Sequence, residues 1–396
     1  LTRRVDAGQP DPALTPPSVL LTGATGFMGR EVLVRLLRQG HPVLAVTRAA
    51  PGERPDGEGP GRIHALAAEV DPGAPLGGLT AAWADITQPG LGLSPGGRAW
   101  LAAQERVQVV HGAAEVRFDL PLGLMRERNV QGTLHVLELA RTLAEQGRLH
   151  RLEHISTCYV AGDREDRVLE SEVDVGQRAR NAYERTKLEA EVAVAAARQE
   201  GLPITVHRPS IIVGDSRTGR ASTFKVLYWP MKVYARGRFR TVFGRPGCPV
   251  DVVPVDYVAD AVVHLMGRPE AAGRTFHLAA GPEGQSTIAA LAAQAQEIFQ
   301  RRPVRYIDPD LYLKWLRPIV RPILRLVRPD VAERGGVYLP YLKGNPSFDT
   351  TEARGLLAPA GLAAPRVEDY FGRIMRFALE TDFGRRALPA YSSSAR

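Results

Sequence analysis

Short apolar runs alternate along this chain with stretches that carry apolar residues every three or four positions. Ser18-Val19-Leu20-Leu21 is brief and wholly apolar after its first residue, the pattern of a buried strand. From Arg30 to Arg38, Val32, Leu33, Leu36 and Leu37 fall at helical spacing, and Gly40 supplies the stop. Further strands are expected at 42–47, 81–86, 107–111, 152–157 and 204–209. Helices are expected from Asn129 to about Glu145 and around Tyr183–Lys187. Residues 49–78 are weakly patterned and read as loop. Strand–helix alternation of this kind predicts an α/β fold, a doubly wound parallel sheet with right-handed crossovers.

Two regions leave the rhythm. Residues 224–247 mix Phe224, Tyr228, Trp229, Tyr234, Phe239 and Phe243 with Lys225, Lys232, Arg236, Arg238, Arg240 and Arg245. After Gly284 the tail contains a basic amphipathic stretch, 311–328. There Leu311, Trp315, Leu316, Ile319, Ile323, Leu324 and Val327 alternate with Lys314, Arg317, Arg321, Arg325 and Arg328. Pro318 and Pro322 are expected to break it into short helical pieces. A helical lid over an apolar tunnel is the preferred reading, with peripheral membrane contact through 311–328 as the alternative.

Composition narrows the partners. The 396 residues include 44% hydrophobic positions and carry a formal net charge of +8. That balance favours phosphates, an anionic carrier or an anionic surface. No nucleic-acid motif accompanies the charge, so a nucleic-acid partner is not expected. Cys158 and Cys248 stand in unrelated contexts and form neither a disulfide framework nor a metal spacing, which points to no metal and to a reducing cytoplasm. No run is long enough to span a membrane. Residues 1–17 are polar and proline-rich, a flexible leader. The first residue is Leu rather than Met, which leaves open a trimmed product or a piece of a longer protein.

Two motifs carry the chemistry. The first is Thr22-Gly23-Ala24-Thr25-Gly26-Phe27-Met28-Gly29, between the first strand and the first helix. Its G-x-x-G-x-x-G spacing lets the backbone turn tightly and lets a helix N-terminus meet a pyrophosphate. An acid at the end of the second strand would bond the ribose hydroxyls of NAD; Thr47-Arg48 stands there instead, and Arg30 follows the loop. Two guanidinium groups suit a 2′-phosphate, so NADPH is the expected cofactor. Asp85-Ile86 is an expected adenine contact and Ala113-Ala114 an expected wall beneath the ribose. The second motif is Tyr183-Glu184-Arg185-Thr186-Lys187, which projects a phenol and an ammonium from one helix face. The ammonium is expected to lower the phenol's pKa toward neutrality, so that Tyr183 passes a proton to a carbonyl oxygen. Ser156-Thr157 ends the fifth strand and offers a hydroxyl to the same oxygen. Asn129 is expected at the start of the following helix, as an N-cap, a water-holding relay or both.

With these residues in place, the chain resembles the extended short-chain dehydrogenase/reductases, and within them the thioester-reductase and fatty acyl-CoA reductase branch. The matching pieces are Leu21–Gly29, Asp85-Ile86-Thr87, His111-Gly112-Ala113-Ala114, Asn129–Thr133, Ile155–Gly162, Tyr183–Lys187, His207–Gly214 and Val253–Ala259, in consistent order over roughly 18–282. The resemblance implies that Thr157, rather than Ser156, orients the substrate. It implies Tyr183 as proton donor, Lys187 as the ribose-binding lysine, and Pro209-Ser210-Ile211 against the nicotinamide carboxamide. It implies hydride delivery to an acyl thioester on CoA or on a carrier protein in trans. The hemithioacetal would collapse to an aldehyde and a thiol, and a second hydride would give the alcohol.

The expected organisation is a leader (1–17), an NADP-binding Rossmann-type core (18–223), a basic aromatic insertion at the substrate mouth (224–249), the end of the core (250–284) and a smaller, mostly helical substrate or lid region (285–396). The competing reading is an extended short-chain dehydrogenase or epimerase acting on a sterol-like alcohol or a nucleotide sugar. A non-catalytic NADPH-binding protein is the third.

Overall fold

A computed structural model describes residues 16–49, 60–237, 240–327 and 338–386. The leader up to residue 15, Arg238, Phe239 and Arg328 lie outside the described residues. Seven parallel strands form the central sheet: β1 (Ser18–Thr22), β2 (Val43–Thr47), β3 (Leu79–Trp83), β4 (Val107–His111), β5 (Leu149–Ile155), β6 (Ile204–Pro209) and β7 (Thr275–Leu278). Their order, β7-β6-β5-β4-β1-β2-β3, reverses direction at β1 and β4. In a doubly wound sheet that reversal opens a crevice at the carboxyl ends of the strands.

Both faces of the sheet are covered, so β1 and β2 are almost wholly apolar, while β4, β5 and β6 also bury polar residues such as Gln108, Glu153 and His207. Successive side chains point to opposite faces. Val19 and Leu21 of β1, with Val43 and Ala45 of β2, join one core. Helices α1 (Phe27–Arg38), α2 (Arg62–Val70) and α7 (Val255–Met266) cover that face. Leu20, Leu44 and Val46 face the other core, beneath α3 (Pro95–Ala102), α4 (Gly132–Glu145) and α5 (Ala182–Gln199).

The weakly patterned stretch 49–78 is not loop throughout, since α2 occupies its second half. Alanines and only two deeply buried positions, Ile63 and Ala67, leave its periodicity faint. Helix α3 opens on Pro95-Gly96-Gly97, residues that read as a turn. The third strand runs 79–83 rather than 81–86, and the fifth 149–155 rather than 152–157. The helix expected to open at Asn129 begins earlier, at Leu122, and passes through a π-helical turn at Arg126–Gln131 before α4.

A third core lies beyond the carboxyl ends of the strands. Helix α6 (Tyr228–Ala235), α8 (Ile288–Phe299) and the last helix, α11 (Val367–Glu380), pack there against Val213 and Val252. Short ladders stitch the tail to earlier segments: Thr241–Phe243 pairs with Arg305–Ile307, Pro249–Val250 with Ser286–Thr287, and Arg167–Val168 with Ser347–Phe348. The prolines do not break the basic stretch. A π-helical turn at Tyr312–Leu316 leads into α9 (Arg317–Val327), with Pro322 inside it. Pro318 stands at the second position of α9, just past that turn. Leu311, Leu313, Trp315 and Ile319 are exposed there. Among the described residues, no helix is long and apolar enough to cross a membrane.

Candidate functional site

The glycine loop is shaped by its own packing. Gly23 has φ of +79°, and a Cβ on it would stand 2.6 Å from the carbonyl carbon of Gly112. A Cβ on Gly29 would lie 2.0 Å from the Gly23 carbonyl oxygen. Neither position tolerates a side chain without moving β4 or α1. Gly26 is the N-cap of α1, and no side chain caps the helix. Its first amides are therefore available to an anion.

Two cavities meet at this loop, both bordered by Gly23, Gly26, Gly112 and Ala114. The smaller, about 210 Å³, is also lined by Thr25, Arg48, Asp85, Ile86 and Ala113. The larger, about 1370 Å³, takes in Phe27, Met28 and Gly29 on one side. Ser156, Thr157, Tyr183 and Lys187 line it on another, and Pro209, Ser210 and Ile211 close it from β6. A groove bent over a glycine turn, with an uncapped helix end at the bend, fits a dinucleotide; Arg48 and Asp85 would hold its adenosine half and Lys187 and Pro209 its nicotinamide half. Such a cofactor, when bound, supplies hydride.

Two expected cofactor residues stand elsewhere. Arg30 borders neither cavity; its guanidinium donates to the Thr25 carbonyl at 3.2 Å and pairs with Glu69 at 3.5 Å. Burial, only partly offset by Glu69 and Glu31, lowers its pKa. Asn129 is buried within the π-helical turn and is not an N-cap. Its Oδ1 accepts from the Glu115 amide at 2.7 Å, and its Nδ2 donates to Thr186 Oγ1 at 3.0 Å, tying the loop after β4 to α5.

Arg62 gives no signal in the sequence, because its helix is faint there. It lies beside Arg48, donating to the Arg48 carbonyl and to Thr47 Oγ1 at 3.2 Å, with its guanidinium 5.3 Å from the Trp83 ring centroid. Phe118 and Tyr341 are likewise invisible to local pattern. Their rings stack at 6.0 Å, and Phe118 lies 5.6 Å from the Tyr183 ring.

At the reacting end, α5 presents Tyr183 and Lys187 one turn apart. Asn181 starts the helix, its side chain accepting the Glu184 amide at 3.0 Å. Lys187 is buried, and Nζ donates to the Ile155 carbonyl at 2.9 Å. Burial lowers its pKa to about 8 against the opposing pull of Glu191. The phenol does not follow the expectation of a pKa near neutrality. Burial pushes Tyr183 up to about 12, and a hydrogen bond with Thr157 works against that rise. The Thr157 hydroxyl is thus the neighbour that eases the phenol's ionisation, against burial and the Glu184 carboxylate. Thr157 Oγ1 also accepts the Tyr159 amide at 3.2 Å, which holds the hydroxyl in place. Two hydroxyls and an ammonium thus line the same cavity, an arrangement able to stabilise negative charge developing on a carbonyl oxygen.

Beyond them the cavity is mostly apolar. Trp229 and Met231 of α6, Phe243, Leu291 of α8 and Tyr338 border it.

Comparison with known proteins agrees with this geometry. The model of an NAD-binding family described as male sterility protein matches residues 21–262. The isonitrile lipopeptide synthase of Streptomyces coeruleorubidus is 30% identical over 302 residues, covering 72% of this chain and 19% of the relative. The L-2-aminoadipate reductase large subunit of Penicillium chrysogenum is 30% identical over 277 residues, covering 65% of this chain and 19% of the relative. The chain therefore spans less than a fifth of the length of these curated relatives. Among solved structures, the terminal R domain from the myxalamid PKS-NRPS biosynthetic pathway superposes with a TM-score of 0.74 at 25% identity, covering 95% of this chain and 92% of that one. A thiolation-reductase di-domain from an archaeal non-ribosomal peptide synthetase gives 0.70 at 18% identity, covering 93% and 76%. With seven parallel strands, a glycine-loop groove that fits a dinucleotide and a family match over more than half its length, the chain belongs to the male sterility protein family of NAD-binding oxidoreductases, on the thioester-reductase branch of the extended short-chain dehydrogenase/reductases.

Proposed function

We propose that this chain uses NADPH to reduce an acyl thioester, carried on a carrier protein or on CoA, to an aldehyde and a free thiol. The observation that carries the reading is the meeting of Thr157, Tyr183 and Lys187 at the junction between the glycine-loop groove and an apolar cavity of about 1370 Å³ in total. Tyr183 and Thr157 hold the thioester oxygen, and Tyr183 protonates it as the carbon becomes tetrahedral. The hemithioacetal then loses its thiol. The apolar walls favour a fatty or otherwise large apolar acyl group. A second reduction to the alcohol uses the same residues. Arg48 in the smaller cavity, with Arg62 beside it, supports NADPH over NADH. A carrier-bound substrate agrees with the structural relative in which a reductase adjoins a thiolation domain of a peptide synthetase, and with the net charge of +8.

The test is consumption of NADPH by the purified chain with a panel of acyl-CoA thioesters, acylated carrier proteins and matching aldehydes, with NADH in parallel. Thiol release in step with NADPH loss is expected. Oxidation with aldehydes alone would make the chain a carbonyl reductase and overturn the thioester reading. Tyr183→Phe should lower turnover by about 10²–10⁴-fold while NADPH binding stays within a few-fold. Wild-type turnover in that variant would remove Tyr183 from the proton-donor role.

A further inference from the structure

Residues 338–345 form one wall of the large cavity, and Tyr341, Gly344 and Asn345 among them hydrogen-bond to the turn that starts α5. Tyr341 is the centre of these contacts. Its ring stacks on Phe118 at 6.0 Å and meets Tyr159 edge-on at 5.6 Å. The Arg180 guanidinium lies 4.9 Å from the ring centroid and also donates to Asn345 Oδ1 at 2.7 Å and to the Gly344 carbonyl at 3.0 Å. The Tyr341 hydroxyl accepts from Asn181 Nδ2 at 2.6 Å and donates to Glu184 Oε1 at 2.5 Å.

Glu184 follows Tyr183 directly and is fully buried. Its other oxygen, Oε2, accepts the Arg180 amide at 2.7 Å, while its own amide donates to Asn181 Oδ1 at 3.0 Å. That reciprocity is a capping box, reaching one residue further back than the usual form. A cap needs only one carboxylate oxygen. The second oxygen here is taken by a hydroxyl 157 positions downstream. Burying a carboxylate is costly unless its lone pairs are used, and this one has a donor on each oxygen. Tyr341 thus reaches Tyr183 by two routes: through Glu184 along the chain, and through Phe118, whose ring is 5.6 Å from the phenol ring.

We infer that Glu184 and Tyr341 are a positioning pair for the reductase reaction: their hydrogen bond ties the substrate wall 338–345 to the capping turn that carries Tyr183, and so sets the gap between acyl group and phenol. The inference rests on the thioester-reductase reading; it adds Tyr341, which lies outside both motifs, and gives Glu184 of the second motif a role of its own.

The full chain is tested as Tyr341→Phe, Glu184→Gln, Glu184→Ala and the double variant Glu184→Ala/Tyr341→Phe. Measured are kcat and KM with a long-chain acyl-CoA, the NADPH dissociation constant, and amide hydrogen exchange in 180–186 and 338–345. Tyr341→Phe removes one hydroxyl and should lower kcat/KM by about tenfold, the worth of a hydrogen bond to a charged group. NADPH affinity should stay within about twofold, since the pair lies away from the glycine loop. Glutamine keeps an oxygen for the Arg180 amide and offers its own amide to the Tyr341 oxygen, so Glu184→Gln should retain more activity than Glu184→Ala. The double variant should be no worse than its poorer parent. Exchange should quicken in both segments together in Tyr341→Phe. Unchanged kinetics in Tyr341→Phe beside an active wild type, additive losses in the double variant, or faster exchange confined to 338–345 would each overturn the inference. A wild type inactive on every thioester and aldehyde would sink the reductase reading instead, and the exchange data would still decide whether the tether exists.

Discussion

In the proposed reaction Lys187 should set the alkaline limit of activity. Its ammonium is held to a pKa of about 8 by burial, against 10.5 for an ordinary lysine. Below pH 8 it is charged; as pH rises through 8 it loses the proton, and the charge beside the carbonyl oxygen goes with it. Turnover should therefore fall above about pH 8. Stability should move the other way. Between about pH 8 and 10.5 the unfolded chain binds more protons at this residue than the folded one, so its contribution to unfolding free energy rises with pH. Parallel rate and denaturation profiles check this, and a rate loss that tracked unfolding would refute the assignment. Arg48 is the residue on which cofactor choice is expected to turn. A charge-assisted bond to a phosphate is worth about 1.5–3 kcal/mol, so Arg48→Ala should cut the kcat/KM preference for NADPH over NADH about ten- to a hundredfold. An unchanged ratio would move that role to Arg62. The contrast between these two arginines marks what the sequence discloses. Arg48 ends an apolar strand at a position with a fixed meaning in the fold, whereas Arg62 arrives from a helix whose alanines give almost no periodic signal. Tyr341 and Phe118 come from segments with no motif, and only folding brings them to Tyr183.

At the scale of elements, α5 is held to the sheet by a charge pair rather than by apolar packing alone. Arg208 of β6 is wholly buried and donates to both oxygens of Glu191, one turn after Lys187. Its remaining donors reach the Glu172 carbonyl at 2.7 Å and His277 at 3.3 Å. Glu191→Ala would leave the guanidinium buried without its counter-charge, a loss of about 3–5 kcal/mol. It would also withdraw the carboxylate that holds the Lys187 pKa up, so the alkaline limb of the rate profile should shift to lower pH. Urea denaturation and a pH–rate profile of this variant read the two effects separately; a stable protein with an unshifted profile would remove both claims. Strands β1 and β2 were legible because burial on both faces makes each a short apolar run, whereas β5 and β6 interleave buried charged residues such as Glu153 and Arg208 with their apolar ones. The helices were legible only where the apolar stripe is dense. Helix α3 opens on Pro95-Gly96-Gly97, and the helical turns before α4 start beside Pro121 and Gly123, so turn-forming residues disguise both. Strand ends slipped by two or three residues because apolar runs do not say where hydrogen bonding stops.

For the whole molecule, the tail after Gly284 is not an appendage to a finished core. Helices α8 and α11 build the third core together with Val213, Ala221, Tyr228 and Val252. The strand Ser347–Phe348 pairs with Arg167–Val168, and helix α10 (Thr351–Leu357) puts Ala353 and Leu357 into the sheet-face core that also holds α1 and α7. Tail residues 338–345 meanwhile line the large cavity opposite Thr157 and Tyr183. The physical consequence is cooperative folding of core and tail. Truncation after Gly284 would strip the cover from Val252 and Tyr228 and remove Ala353 and Leu357 from the core that holds α7, leaving contiguous apolar surface on the remaining chain. Such a truncated chain should bind a hydrophobic dye, lose its near-ultraviolet dichroism and unfold over a broad range, while the full chain unfolds in one sharp transition. A truncated chain that stayed soluble, unfolded sharply and bound NADPH as tightly as the full chain would show a self-sufficient cofactor domain. The tail would then be a separable substrate module, and the tether through Tyr341 would join two domains rather than two walls of one.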